Sequence, residues 1–195
     1  PLKRQLLLAR LIMALDPDAS PDRAVWLAAE LARFLDQVQT ERLDFARLDV
    51  LVPDDLAQHW QVTVRFLEIL STAWPALLAE HGCIDPADHR NLVFAAQAQT
   101  WTALAAANKL DGPIIAAGST GSIPATADLL AAVAALPEGC VVLPGLDLNL
   151  DDQAWDAIDE NHPQFGMKHL LAQFVIDRDQ VTPWPGNAVA LDAPD

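Results

Sequence analysis

Apolar positions recur at three- and four-residue spacing through the first half of the chain, the period that places them on one side of an α-helix. This pattern predicts a helix over residues 3–15 that stops at Asp16-Pro17. Ser20-Pro21-Asp22 is a strong helix start. It sets a hydroxyl at the N-cap, a proline at the first helical position where its missing N–H costs nothing, and an acid beside the positive end of the helix dipole. The helix that follows lines up Val25, Ala28, Ala29, Ala32, Leu35 and Val38, with Arg23, Glu30, Arg33, Asp36 and Gln37 mostly elsewhere. Leu51-Val52-Pro53-Asp54-Asp55 is a break and a new start. Trp60, Val64, Leu67, Leu70, Trp74 and Leu77 then share a face, and Pro75 inside that pattern should kink or split it. Asp85 is set to cap another helix that opens at Pro86 and aligns Phe94, Ala98, Trp101 and Ala105. Residues 1–109 are expected to be wholly helical.

At Asp111-Gly112-Pro113 the pattern changes. Ile114-Ile115-Ala116-Ala117 is a short continuous apolar run, as in a buried parallel strand. Gly118-Ser119-Thr120-Gly121-Ser122 is a turn. A helix runs from Pro124 to Leu136 with Ser122 as its cap, and Cys140-Val141-Val142-Leu143 forms a second buried strand. Strand, helix and strand over so short a stretch make one right-handed βαβ unit. A single such unit is not a complete doubly wound domain, so residues 110–185 read as part of an α/β domain. Helices from Asp151 to Glu160 and from Gln164 to Phe174 follow, and the tail from Pro183 is irregular. The expected class is α/β, predominantly helical.

Composition narrows the function classes. With 195 residues and 52% hydrophobic side chains the chain can bury a core and is not a disordered tail. Its formal charge of −15 opposes stand-alone binding to a phosphate backbone. That charge is unevenly spread, at −1 over residues 1–50, −3 over 51–110 and −11 over 111–195. Cys83 and Cys140 fit no ligand pattern, which favours a reduced, cytoplasmic protein. No apolar run reaches a membrane span. The run from Leu6 to Met13 is short, interrupted by Arg10 and without a cleavage site, so no signal peptide is expected. A start at Pro1 that turns helical almost at once reads as an excised piece of a longer protein.

Candidate chemistry is sparse. The glycine-rich turn between strand and helix could hold a phosphate through backbone N–H groups. A P-loop needs a lysine followed by Ser or Thr at the helix start, however, and no Lys lies between Asp111 and Met167. The nucleophile elbow of serine hydrolases is also absent, because Gly118 directly precedes Ser119, and no geometry follows for His162 or His169. Those hydroxyls are more simply helix-capping groups. His81, Cys83 and His89 match no zinc spacing, and neither His59 nor the rest extends them into one. Asp147, Asp151, Asp152, Asp156, Asp159 and Glu160 resemble a calcium loop only superficially; a solvated face is the default, with a cation-dependent nuclease pair as the alternative. Trp60, Trp74 and Trp101 fall on apolar faces and read as core. Lys3, Arg4 and Arg10 form a small basic cluster, the candidate DNA contact. No catalytic residue, metal site or cofactor follows from these patterns.

Several runs together carry a family likeness. They are PIIAAGSTGSIPAT from Pro113 to Thr126, VLPGLD from Val142 to Asp147, HPQFGMK from His162 to Lys168, LARFLDQVQTE from Leu31 to Glu41, and His59-Trp60. In combination they resemble the AddB subunits of bacterial AddAB helicase–nucleases, in the alphaproteobacterial style, over residues 2–185. The resemblance implies a superfamily 1 helicase-like protein with an inactivated motor. Residues 1–109 would be its helical insertion, residues 110–186 part of a RecA-like domain, and residues 187–195 an irregular tail. An active motor would end its first strand here on an Asp-Glu pair that holds magnesium; the matching positions are Ala117 and Gly118. The next strand should lead to a glutamine that senses the γ-phosphate, and Pro144-Gly145-Leu146-Asp147-Leu148-Asn149 offers none. The implied role is a non-catalytic scaffold that contacts the AddA helicase–nuclease subunit and guides DNA in processing of double-strand breaks. The full-length protein would be an exodeoxyribonuclease subunit. Two rivals stand beside it: a small phosphate- or acyl-binding enzyme using the 118–122 turn, and a pure protein-interaction module.

Overall fold

Small apolar residues decide how the first helices meet. α1 (Leu2–Leu15) and α2 (Pro21–Thr40) bury Leu8, Ala9 and Ile12 against Ala24, Ala28, Leu31 and Leu35. Ala24 and Ala28 have no exposed surface, and their small side chains allow close packing in this core. The structure is a computed structural model and describes residues 2–16, 18–43 and 69–184. The chain divides into two units, Pro1–Leu92 and Val93–Asp195. The change of sequence pattern after residue 109 lies inside the second.

In the first unit the expected start of α2 is present, with Pro21 in its first turn. Ser20 occupies the N-cap but its hydroxyl makes no cap bond; it serves the Asp22 carboxyl instead. The buried face runs through Ala24, Ala28, Leu31, Leu35 and Val38. Val25, expected on that face, is exposed, because the close approach of α1 selects the alanine row beside it. The break at residues 51–55 and Trp60, Val64 and Leu67 lie outside the described residues. Pro75 splits its helix: a π-turn over Ile69–Ala73 hands over to α3 (Trp74–Glu80), and Pro75 falls in the first turn of α3. A missing N–H has no intrahelical partner to lose at that position. Ile69, Leu70 and Trp74 complete the core, with Leu77 and Leu78 half-buried against it.

α4 (Pro86–Ala106) opens at the expected proline. It ends in a left-handed Asn108 (φ 54°), with the Lys109 N–H returning 2.8 Å to the Leu104 carbonyl. Phe94, Ala98, Trp101 and Ala105 form a half-buried side of this helix, whose one fully buried residue is Ala87.

In the second unit β1 (Ile114–Ala117) pairs in parallel with β2 (Gly139–Val142), Ile114 opposite Gly139 and Ala117 opposite Val142. Between them runs α5 (Pro124–Ala134). Gly139 is required where β2 leaves α5, because a Cβ there would collide with the Val133 carbonyl oxygen. β2 thus begins one residue earlier than its apolar run. α6 (Asp152–Asp156) and α7 (Phe165–Phe174) follow, then a 3₁₀ turn over Arg178–Gln180. Ala127, Leu130 and Leu170 form the core, with Ala116, Val141, Leu143 and Phe174 packed on it. One face of the sheet is therefore covered by α5 and α7.

Ile115 and Ala117 point the other way, and Ile115 is 55% exposed. The expectation of fully buried strands is corrected: β1 alternates, and among the described residues the sheet has two strands with one open face. Ser122 is not the cap of α5; Ile123 holds that place in extended conformation, with no side-chain bond. The helix expected over residues 151–160 is cut to α6. Asp151 caps its start by accepting from the Ala154 N–H at 2.7 Å. The Lys168 ammonium closes its end on the carbonyls of Trp155 and Asp156 at 2.9 Å and Ile158 at 3.4 Å. The molecule is predominantly helical with a small parallel sheet. No helix among the described residues is long and apolar enough to cross a membrane.

Candidate functional site

In open α/β sheets, ligands bind outside the carboxyl ends of the strands. Here that place is the turn Gly118, Ser119, Thr120, Gly121, Ser122 between β1 and α5. Gly118 extends the ladder, its N–H reaching the Val142 carbonyl at 3.1 Å, and then turns into a left-handed conformation (φ 80°). Ser119 Oγ accepts the Gly121 N–H at 3.3 Å, which folds the turn on itself. Gly121 (φ 64°) lies against α7, where a Cβ would come within 2.6 Å of Leu170 Cδ1. The turn is thus fixed at one glycine by packing. At the other, Gly118, a Cβ would meet open space.

The chemistry at this place is thin. Ala117 and Gly118, at the carboxyl end of β1, are exposed and present a methyl group and a hydrogen. The one lysine of the second unit beyond Lys109 is Lys168, already spent on the end of α6. Ser119 is engaged within the turn, and Ser122 is exposed.

The other candidates resolve into local structure. Asp147 Oδ1 accepts the Asn149 N–H at 2.8 Å, and Asp159 Oδ1 accepts the Asn161 N–H at 3.0 Å. Asp151 caps α6, and Asp152 pairs with Arg178 at 3.1 Å. The Arg178 guanidinium also sits 5.0 Å over the Trp155 ring. The acids are therefore spread over separate turns. Among the described residues no group of three or more His, Cys, Asp or Glu side chains could hold a metal ion. Cys83 is exposed, with its Sγ toward the His81 carbonyl at 3.4 Å. His59 lies outside the described residues.

The basic cluster does not stay together. Lys3 and Arg10 are exposed on α1, but the Arg4 side chain is only 14% exposed. Arg4 Nη1 lies 2.7 Å from Asp36 Oδ1, and Arg4 Nε lies 2.8 Å from Asp85 Oδ1. Arg4, one of the three candidate DNA contacts, thus has its guanidinium committed inside the first unit.

The partner it finds, Asp85, is the polar centre that sequence reasoning missed. Its other oxygen, Oδ2, accepts the Trp74 Nε1–H and a Gln39 side-chain N–H, both at 2.8 Å. The backbone carbonyl of Asp85 starts α4 by accepting from His89 at 2.8 Å, as a cap position does. The carboxylate, however, turns into the core, where Asp85 is 2% exposed. An Asp before a Pro signals a helix start and nothing about where its side chain goes. Asp88, one turn on, is raised above the ordinary carboxylate range by burial and by the neighbouring Asp85 charge.

Comparison with protein-family models, with curated proteins and with solved structures finds no match to this chain.

Proposed function

We propose that this chain is a non-catalytic, helicase-like scaffold segment of an AddB-type subunit, working beside an AddA-type helicase–nuclease in the processing of double-strand DNA breaks. The observation that carries this reading is the coincidence of motif and geometry at the carboxyl end of β1. The most distinctive run of the resemblance, from Pro113 to Thr126, spans β1, its turn and the start of α5. It has the strand–turn–helix layout of a motor site. The positions that should hold magnesium there are Ala117 and Gly118. VLPGLD occupies the end of the adjacent strand β2 and offers no glutamine. On this reading the α/β unit belongs to the RecA-like class and the helical unit is its insertion.

The scaffold role also agrees with the charge. Between residues 111 and 184 the only cations are Lys168 and Arg178, and both are engaged within the fold. Such a surface suits a protein partner better than a phosphate backbone.

Purified chain mixed with magnesium and ATP should show no hydrolysis above buffer. Pull-down with the AddA-type subunit should retain the chain in a salt-sensitive manner. Turnover that disappears in Ser119→Ala or Thr120→Ala would instead establish the small-enzyme alternative.

A further inference from the structure

The second unit carries a groove of about 680 Å³, lined by uncharged and mostly apolar residues, beside the edge of β2 that is unpaired among the described residues. On one side runs the strand itself, Gly139 to Val142; on the other are Leu171 and Phe174 of α7, Ile176, and the extended segment through Val181 and Trp184. The parallel ladder fixes which backbone groups face this groove. The carbonyls of Glu138 and Val142 accept from Ile114 and Gly118 of the β1 side, each at 3.1 Å. Successive residues of a strand direct their bonds to opposite sides. The Gly139 carbonyl, both backbone groups of Val141 and the Leu143 N–H therefore point to the free edge. The Gly139 N–H is already used, on the Leu136 carbonyl at 3.1 Å.

Every residue that lines the groove is uncharged. Acids adjoin it in sequence: Glu138 precedes Gly139, Asp147 sits between Leu146 and Leu148, Asp177 follows Ile176 and Asp179 precedes Gln180. Arg178, placed among them, is turned onto Trp155 and Asp152. The result is a trough of uncharged residues beside a strand edge that is unpaired among the described residues, with acids next to its lining in sequence and no cation in that lining.

We infer that this groove takes an extended segment of a separate protein, alternating apolar residues with lysine or arginine at its flanks, which adds to β2 as a third strand. Main-chain bonds to Val141 and its neighbours supply a sequence-independent hold, and the apolar walls and carboxylate flanks select the occupant. Trp184, 49% exposed at the rim, supplies a large apolar surface for that contact. The inference deepens the scaffold reading by naming a place and a chemistry for a partner. Its test uses peptides alone, so its failure would leave the AddA pull-down standing.

A random peptide library displayed on phage is selected against the full chain, and the winning peptides are synthesised. Winners should carry alternating apolar residues flanked by Lys or Arg. Their binding should slow hydrogen exchange at the Val141 and Leu143 amides. The double variant Glu138→Lys with Asp179→Lys changes two exposed side chains. It should weaken binding about ten-fold at low ionic strength, by replacing attraction with repulsion. The difference should shrink to less than about two-fold in roughly 0.5 M salt. No enrichment, enrichment of acidic peptides, or unchanged exchange at Val141 and Leu143 would overturn the inference. So would effective competition by a synthetic peptide of residues 185–195, which would give the edge to the chain itself. Protection of the same amides by concentration-dependent dimerisation would give it to a second copy.

Discussion

Asp85 ties together four parts of the helical unit: Arg4 on α1, Gln39 on α2, Trp74 at the start of α3, and the first turn of α4 that its own carbonyl opens. Breaking a buried ion pair by removing one partner costs about 3–5 kcal/mol, because the other charge is left uncompensated. Asp85→Ala should fall in that range in urea unfolding. Trp74→Phe keeps most of the ring's packing and deletes one hydrogen bond to a charged group, so it should cost about 1.5–3 kcal/mol. Carboxyl titrations followed by NMR should place Asp88 above the ordinary range and Asp22 below it. The signs for stability are opposite. The lowered Asp22 contributes stability above its unfolded value that is lost as pH falls through its folded one; the raised Asp88 costs stability at neutral pH and is relieved on protonation. Val175 ends α7 in a left-handed conformation (φ 56°) with 90% of its surface exposed. A β-branched residue there is strained and packs on nothing, so Val175→Gly should raise stability by about 1 kcal/mol.

At the scale of elements, the helix starts at Pro21 and Pro86 and the shift from helix to strand near residue 111 were legible in the sequence. Proline and capping residues report on the backbone within one turn, and that is where those signals apply. The path of a side chain into a distant neighbour leaves no local trace, so Asp85 read as a cap and Arg4 as a surface cation. α6 read too long for a related reason: its end is set by Lys168, twelve residues beyond Asp156. The open face of β1 was illegible because Ile-Ile-Ala-Ala has the same pattern whether one face is covered or two. The 118–122 turn was located correctly, but only the contact with Leu170 shows why Gly121 must be glycine. Gly121→Ala should therefore destabilise by about 1–3 kcal/mol through overpacking, in addition to its backbone strain. Gly118→Ala, facing open space, should cost only the backbone term of about 1–2 kcal/mol. Thermal unfolding of the two variants compares them directly.

At the scale of the whole molecule, the charge of −15 sets what the chain can hold. The exposed cations of α1 are reduced to Lys3 and Arg10 once Arg4 is paired, and from residue 111 to 184 no cation is left unengaged. Fluorescence anisotropy with single-stranded and duplex DNA should show weak binding that vanishes as salt approaches physiological strength. A role in DNA processing then requires that the positive surface come from elsewhere in an assembly. The most direct test of that claim is sedimentation velocity of the chain with an equimolar AddA-type subunit. A joint species that dissociates as salt is raised is expected. Two species sedimenting independently at low salt would contradict it.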